Sequence, residues 1–128
     1  MQLYESGENY LEAILVLDRQ GGPVRSVDVA RFLGYSKPSV SRAMKVLKEA
    51  GYIDMESYGT IELTDAGRNM ASSVLERHQI ITDYLMLFLG LDPTIAEKDA
   101  CRIEHIISPE TFTEIKNRVA EQKATAKE

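Results

Sequence analysis

The chain has 128 residues, 44% hydrophobic and 27% charged, the make-up of an ordinary soluble globular protein of one or two small domains. No apolar run approaches the roughly 18 residues needed to cross a bilayer, so no membrane partner is expected. The polar, acidic start MQLYESGENY is unlike a secretory signal, and the single cysteine, Cys101, excludes an internal disulfide; both fit a reducing, cytoplasmic location. The net charge of −5 argues against a nucleic-acid partner, but the charge is unevenly spread. Between Arg19 and Gly51 stand seven basic residues (Arg19, Arg25, Arg31, Lys37, Arg42, Lys45, Lys48) against two acids, Asp28 and Glu49, whereas residues 1 to 18 hold four acids and no Lys or Arg. One basic working surface on an acidic body is the pattern of a DNA-binding segment.

In chain order, YESGENYLEAILVLDRQGG places Tyr10, Leu11, Ile14, Leu15 and Leu17 at helical spacing and closes on Gly21-Gly22, with Pro23 as a stop. VRSVDVARFLGYSKPSVSRAMKVLKEAGYI reads as two short helices about a tight turn. Ser26 is the expected cap of the first, with Val27, Val29, Ala30 and Leu33 inward and Gly34 at its end. The second starts near Lys37 with Pro38 in its first turn, carries an apolar stripe of Val40, Ala43, Met44 and Leu47, and ends at Gly51. This is a helix-turn-helix. YIDMESYGTIELT then changes to strand period, with Tyr52, Ile53, Met55 and Ile61, Leu63 on two short strands about the polar turn ESYG. A helix-turn-helix followed by a small hairpin is a winged helix.

A long helix follows, capped by Thr64 or Asp65. Its second half, Ile80 to Leu91, is more apolar than one small domain needs, which implies a partner. DPTIAEKDACRIEHIIS opens on a Pro and reads as another helix. SPETFTEIKNRVAEQ repeats the device with Ser108 as cap and Pro109 at its first position, and the tail KATAKE is expected to fray. The fold expected is mainly α: residues 1–64 a winged helix-turn-helix domain with a β-hairpin wing, residues 65–128 an α-helical metal-binding and dimerisation domain.

Two sets of residues carry chemistry. The exposed face of the second short helix presents Ser36, Lys37, Pro38, Ser39, Ser41, Arg42 and Lys45. Small hydroxyls beside Arg and Lys suit a major groove, where hydroxyls reach phosphates or base edges and Arg binds guanine bidentately. Arg25 and the wing residue Tyr58 are candidate backbone contacts. The bland alternative is a solvated basic helix face. In DACRIEH, Cys101, Glu104 and His105 lie at i, i+3 and i+4, so a continuing helix sets a thiolate, a carboxylate and an imidazole on one face. His78 on the preceding helix, and Asn9 and Glu12 at i and i+3 on the first, complete a candidate pocket. Taken alone, such a cysteine is more often a small buried hydrophobe. The absence of Cys-x-x-Cys excludes a zinc-ribbon site.

The stretches ENYLEAI, KPSVSRAMKVLKEAGYI, LTDAGRNMA, RHQIITDYL and DACRIEH, in this order and spacing, resemble the family of the diphtheria-toxin repressor and the manganese-transport regulator, metal-dependent transcription factors. The likeness runs from about Glu8 to Glu114 and is to the form with two domains. It implies a winged helix joined to a helical dimerisation domain. In iron-responsive members the main site uses a Met of the first helix with Cys, Glu and His of a dimerisation helix. Cys101, Glu104 and His105 match the last three, and Asn9 stands in place of the Met. In manganese-responsive members the Asn9 position is Asp and the Cys101 position is Glu. Glu12 matches a carboxylate ligand of the manganese-type pair, and His78 a histidine used by both branches. Glu97 takes the place of an ancillary histidine, and Thr82 that of a Glu.

The expected function is that of a homodimeric, metal-activated repressor, not an enzyme, acting on a near-palindromic double-stranded DNA operator in metal-ion homeostasis. Fe(II) is the first choice because a thiolate is soft, Mn(II) the second, and Co(II), Ni(II) or Zn(II) can bind in vitro by the usual divalent order. One rival is a metal-independent winged-helix regulator. The other is a zinc hydrolase, disfavoured because no separate catalytic base or Gly-rich substrate loop is present.

Overall fold

The computed structural model describes residues 5–56 and 59–126. The chain divides into two compact units, Met1–Ser73 and Val74–Glu128, and the division falls inside one long helix, α4 (Asp65–Leu89).

The first unit begins with α1 (Glu5–Arg19), whose Tyr10, Leu11, Ile14 and Leu15 recur as one stripe and are all buried. The stripe packs on β1 (Val24–Arg25), α2 (Ser26–Leu33), α3 (Lys37–Glu49) and β3 (Thr60–Leu63). α2 and α3 bury Val29, Ala30, Val40, Met44 and Leu47 against it. Full burial of each large aliphatic side chain is worth ~1.5–3 kcal/mol, so this stripe is the main cohesive element of the unit. α2 stops at Gly34, whose φ of 73° is left-handed and whose N–H donates to the Ala30 carbonyl. α3 starts on Ser36, whose Oγ accepts from the Ser39 N–H at 3.3 Å, with Pro38 in the first turn where a missing N–H costs nothing.

β2 (Ile53–Met55) and β3 form the expected hairpin, with Ile53 opposite Leu63 and Met55 opposite Ile61. Ser57 and Tyr58 of its turn lie outside the described residues, so the expected contact at Tyr58 has no structural counterpart here. The sheet has a third strand that the hydropathy pattern does not reveal: β1 pairs with β3 through Val24 opposite Ile61 and Arg25 opposite Thr60, giving the order β1-β3-β2. Two residues are too few to show a period of two.

Two local expectations for α2 are corrected. Its cap is Arg25, in extended conformation, and Ser26 is the first helical residue. The Asp28 carboxylate accepts the Arg25 N–H at 2.9 Å, which does the work expected of Ser26. Val27, expected inward, is 36% exposed. At the start of α4 Thr64 is the cap: its Oγ1 accepts from the Gly67 N–H at 3.1 Å and donates to the Gly51 carbonyl at 2.7 Å. Gly67 presses on the Tyr52 carbonyl, which a Cβ there would overlap, so α4 enters the unit at a position only glycine fits.

The second unit contains the rest of α4, α5 (Pro93–Ile103) and α6 (Pro109–Ala126). Ile81, Leu85, Ala96 and Ala100 form its core, with Tyr84, Leu91, Ile103, Ile107 and Phe112 packed around them. Ala96 and Ala100 are the α5 residues buried with Ile81 and Leu85 of α4. α5 is capped by Asp92 and α6 by Ser108, whose side chains accept from the Thr94 and Thr111 N–H groups. Ion pairs Lys116–Glu76 (3.4 Å) and Lys123–Asp83 (2.8 Å) join α6 to α4. The segment from Lys123, expected to fray, is helical through Ala126, and Lys123 pairs with Asp83 of α4.

Candidate metal and DNA sites

α5 does not continue through the DACRIEH motif. It ends at Ile103, with Glu104 as the C-cap in right-handed conformation and residues 104–106 in a turn. The Glu104 N–H still bonds the Ala100 carbonyl at 2.9 Å, but His105 and Ile106 bond three residues back, to Arg102 and Ile103. The tightened turn replaces the single regular helical face expected of Cys101, Glu104 and His105.

Its consequence is a buried carboxylate between two imidazoles. Glu104 is 0% exposed; its Oε2 lies 2.9 Å from Nδ1 of His78 on α4, and its Oε1 lies 3.2 Å from Nε2 of His105. The His105 side chain is itself 1% exposed, and that of His78 21%. A carboxylate taken wholly out of water requires positive charge beside it, supplied by a protonated imidazole or by a metal cation. Cys101, a half-buried thiol on α5, sits one turn ahead of Glu104. Imidazole, carboxylate and thiol from α4, α5 and the turn after α5 make a donor set that fits a divalent transition metal.

Glu97 and Thr82 belong to the same unit. Glu97 is exposed on α5, one turn ahead of Cys101. Thr82 is buried on α4, but its hydroxyl donates to the His78 carbonyl at 2.7 Å and so braces the backbone that carries His78. In the first unit, Asn9 and Glu12 are half-buried on α1 one turn apart. Asn9 Nδ2 donates to the Tyr35 hydroxyl at 3.3 Å, which leaves the amide oxygen as its ligating atom.

The candidate DNA face is brought together on α3. Ser36, Lys37, Pro38, Ser41, Arg42 and Lys45 are exposed and Ser39 is half-buried. Ser36 Oγ donates to Ser39 Oγ at 2.8 Å, and Arg42 Nη2 donates to the same oxygen at 3.4 Å. Two of the three serines therefore organise the helix start and steer Arg42, while Ser41 keeps its hydroxyl outward. Arg25 is exposed on β1. One residue of this surface was missed in the sequence: Tyr35, 44% exposed in the turn before α3. Its ring meets that of Tyr10 edge-on, centroids 5.7 Å apart. Burial, and then the neighbouring Tyr35, push the Tyr10 hydroxyl above its ordinary pKa, with Arg42 pulling the other way.

A helix-turn-helix with a three-stranded wing, followed by a helical unit that holds a carboxylate between two imidazoles, defines the class: a winged-helix protein with a donor set that fits a metal. Comparison with known families gives the particular one. The iron dependent repressor N-terminal DNA binding domain matches residues 2–61, and the iron dependent repressor metal binding and dimerisation domain matches residues 64–125. The chain belongs to the iron-dependent repressor family, which takes in relatives of both the diphtheria toxin repressor and MntR.

An HTH-type transcriptional regulator of Methanocaldococcus jannaschii is 34% identical over 113 residues, 88% of this chain and 90% of that one. The transcriptional regulator MntR of Escherichia coli O157:H7 is 40% identical over 105 residues, 82% of this chain and 67% of the relative. The diphtheria toxin repressor of Corynebacterium diphtheriae is 30% identical over 108 residues, 84% of this chain and 48% of that one. Among solved structures, a manganese-dependent transcriptional repressor in complex with manganese superposes with a TM-score of 0.83 at 25% identity, over 89% of this chain and 52% of that one. The chain thus spans about half the length of that structure. These relatives are transcriptional regulators, not enzymes, which removes the hydrolase reading. No helix among the described residues is long and apolar enough to cross a membrane.

Proposed function

We propose that this protein is a cytoplasmic, metal-activated transcriptional repressor that acts as a homodimer on a near-palindromic operator and controls metal-ion homeostasis. The observation that carries the metal reading is Glu104, 0% exposed, with His78 and His105 nitrogens on its two oxygens. An unswitched regulator has no use for so costly an arrangement, since apolar residues of equal volume are often as stable or more so.

His78, Glu104 and His105 hold the ion in this reading, and Cys101 adds a soft donor. Asn9, Glu12 and Glu97 stay in the proposed ligand set on the sequence match. Bound metal supplies a cationic centre that replaces protons as the counter-charge of the ligands. An ion that also takes Asn9 and Glu12 of α1 would link the DNA-binding segment, residues 1–64, to the dimerising segment, residues 65–128. Metal would then favour the DNA-competent state by its differential affinity for it.

Thiolate favours Fe(II), with Mn(II) second, and Co(II), Ni(II) or Zn(II) as in-vitro occupants. The apolar residues Leu87, Phe88, Leu89 and Ile95, between 41% and 59% exposed, support a second copy as the partner. Two recognition helices would then meet two half-sites. Anaerobic operator-binding titrations with chelator and then with defined Fe(II) or Mn(II) test the proposal. Binding that needs added metal supports it, and binding untouched by chelator leaves the metal-independent regulator in its place.

A further inference from the structure

Tyr35 occupies an unusual position for a large aromatic residue. It is 44% exposed, yet two residues of α1 hold it in place. Asn9 Nδ2 donates to its hydroxyl oxygen at 3.3 Å, and the Tyr10 ring packs on its own at 5.7 Å and 73°. Edge-on ring pairs of this kind fix orientation as well as burying area. Tyr35 also immediately precedes Ser36, the cap of α3, and so stands at the entrance of the helix that carries Lys37 and Arg42.

A phenol has one proton to donate and lone pairs to accept with. Asn9 occupies the accepting side, so the Tyr35 proton is directed elsewhere, and among the described residues no acceptor for it is present. The bond to Asn9 turns the side chain toward α1, at the start of α3 and off its exposed face. The oxygen it can meet is on the rim, where phosphates lie, and phosphate oxygens accept from tyrosine hydroxyls in protein–DNA complexes. A cation is also near: Arg42, exposed on α3, acts electrostatically on Tyr10, whose ring packs on that of Tyr35.

We infer that Tyr35 is a DNA-backbone contact, and that Asn9 is the positioning residue that aims its hydroxyl at a phosphate. The inference rests on the DNA-binding reading above and adds to it. Asn9 also carries an amide oxygen free of the Tyr35 bond, so the residue proposed as a ligand is the same one that orients a DNA contact. Metal at that oxygen would fix the amide plane, and with it the Tyr35 hydroxyl.

The test uses the whole chain saturated with Co(II), a duplex selected from a random pool by the wild-type protein, and an unrelated duplex of equal length. Tyr35→Phe is expected to weaken both complexes about 10- to 100-fold, the worth of one hydrogen bond to a charged acceptor. The salt dependence should not change, because no cation is removed. Co(II) affinity, read from its absorption spectrum, should match wild type. Asn9→Ala, assayed at Co(II) levels that saturate it, should lose a similar factor alone and nothing further on top of Tyr35→Phe.

Wild-type affinity of Tyr35→Phe for both duplexes overturns the contact. Loss on the selected duplex only makes Tyr35 a base reader and overturns the phosphate assignment. Additive losses overturn the positioning role of Asn9. If the wild-type protein binds neither duplex with metal present, the DNA-binding reading itself falls, an outcome distinct from all of these.

Discussion

The protein contains two polar clusters of similar size and opposite surroundings. On α3, Ser36, Ser39 and Arg42 are joined in solvent by bonds of 2.8 and 3.4 Å. In the second unit, His78, Glu104 and His105 are joined at 2.9 and 3.2 Å with the carboxylate wholly buried. In water, a polar group that loses its partner is rehydrated, and the net worth of the bond is ~0.5–1.5 kcal/mol. In a dry site the same loss strands a charge, at ~3–5 kcal/mol. The first cluster can therefore exchange its internal partners for DNA at little cost. The second answers strongly to whatever supplies positive charge, and that is the property a metal sensor needs.

The largest expected effect comes from breaking the dry cluster. Glu104→Gln keeps the volume but removes the charge that a cation answers. Metal affinity should fall about 100-fold or more, measured by Co(II) titration, and DNA binding should stop responding to metal. Near-wild-type metal affinity would make Glu104 a structural group.

Next in size is the wet cluster. Arg42→Ala should cost ~1–3 kcal/mol on the cognate duplex and relax preference at one base position if, as proposed, Arg42 reads a base. Lys45→Ala should weaken all duplexes alike and lower the salt slope by about 1. If the two variants behave identically, Arg42 is only a phosphate contact.

The smallest effect lies outside both clusters, at Tyr10. Its folded pKa is raised, mainly by burial, so its contribution to stability is complete below the ordinary tyrosine value of about 10 and is lost as pH rises through the higher folded value. Denaturant unfolding between pH 8 and 11 should show the first unit weakening above about pH 10. Tyr10→Phe should flatten that decline and change little at pH 7.

These clusters also differ in how well the sequence announces them. The α3 face was legible because it lies on one helix with strong signals: Gly34 before it, Ser36 and Pro38 at its start, Gly51 after it. Helical spacing then decides which side chains are outward. The motif at Cys101 drew attention by its residue types, but its geometry was not legible. No Gly or Pro marks the end of α5 at Ile103, and nothing local states that Glu104 is buried, since its burial comes from packing within a tertiary structure. The pairing of His78 with Glu104 spans 26 residues, as does that of Asn9 with Tyr35, and spacing rules reach only one or two helical turns. β1 escaped for a related reason: its two residues become a strand only because β3 is there to pair with them.

Operator binding under controlled metal most directly tests the claim that this is a metal-switched DNA-binding protein. Under anaerobic conditions with chelator present, wild-type protein should bind a selected duplex no better than an unrelated one. Added Fe(II) or Mn(II) should restore selective binding, and Glu104→Gln should remove that restoration. Equal, selective binding with and without chelator would contradict the account.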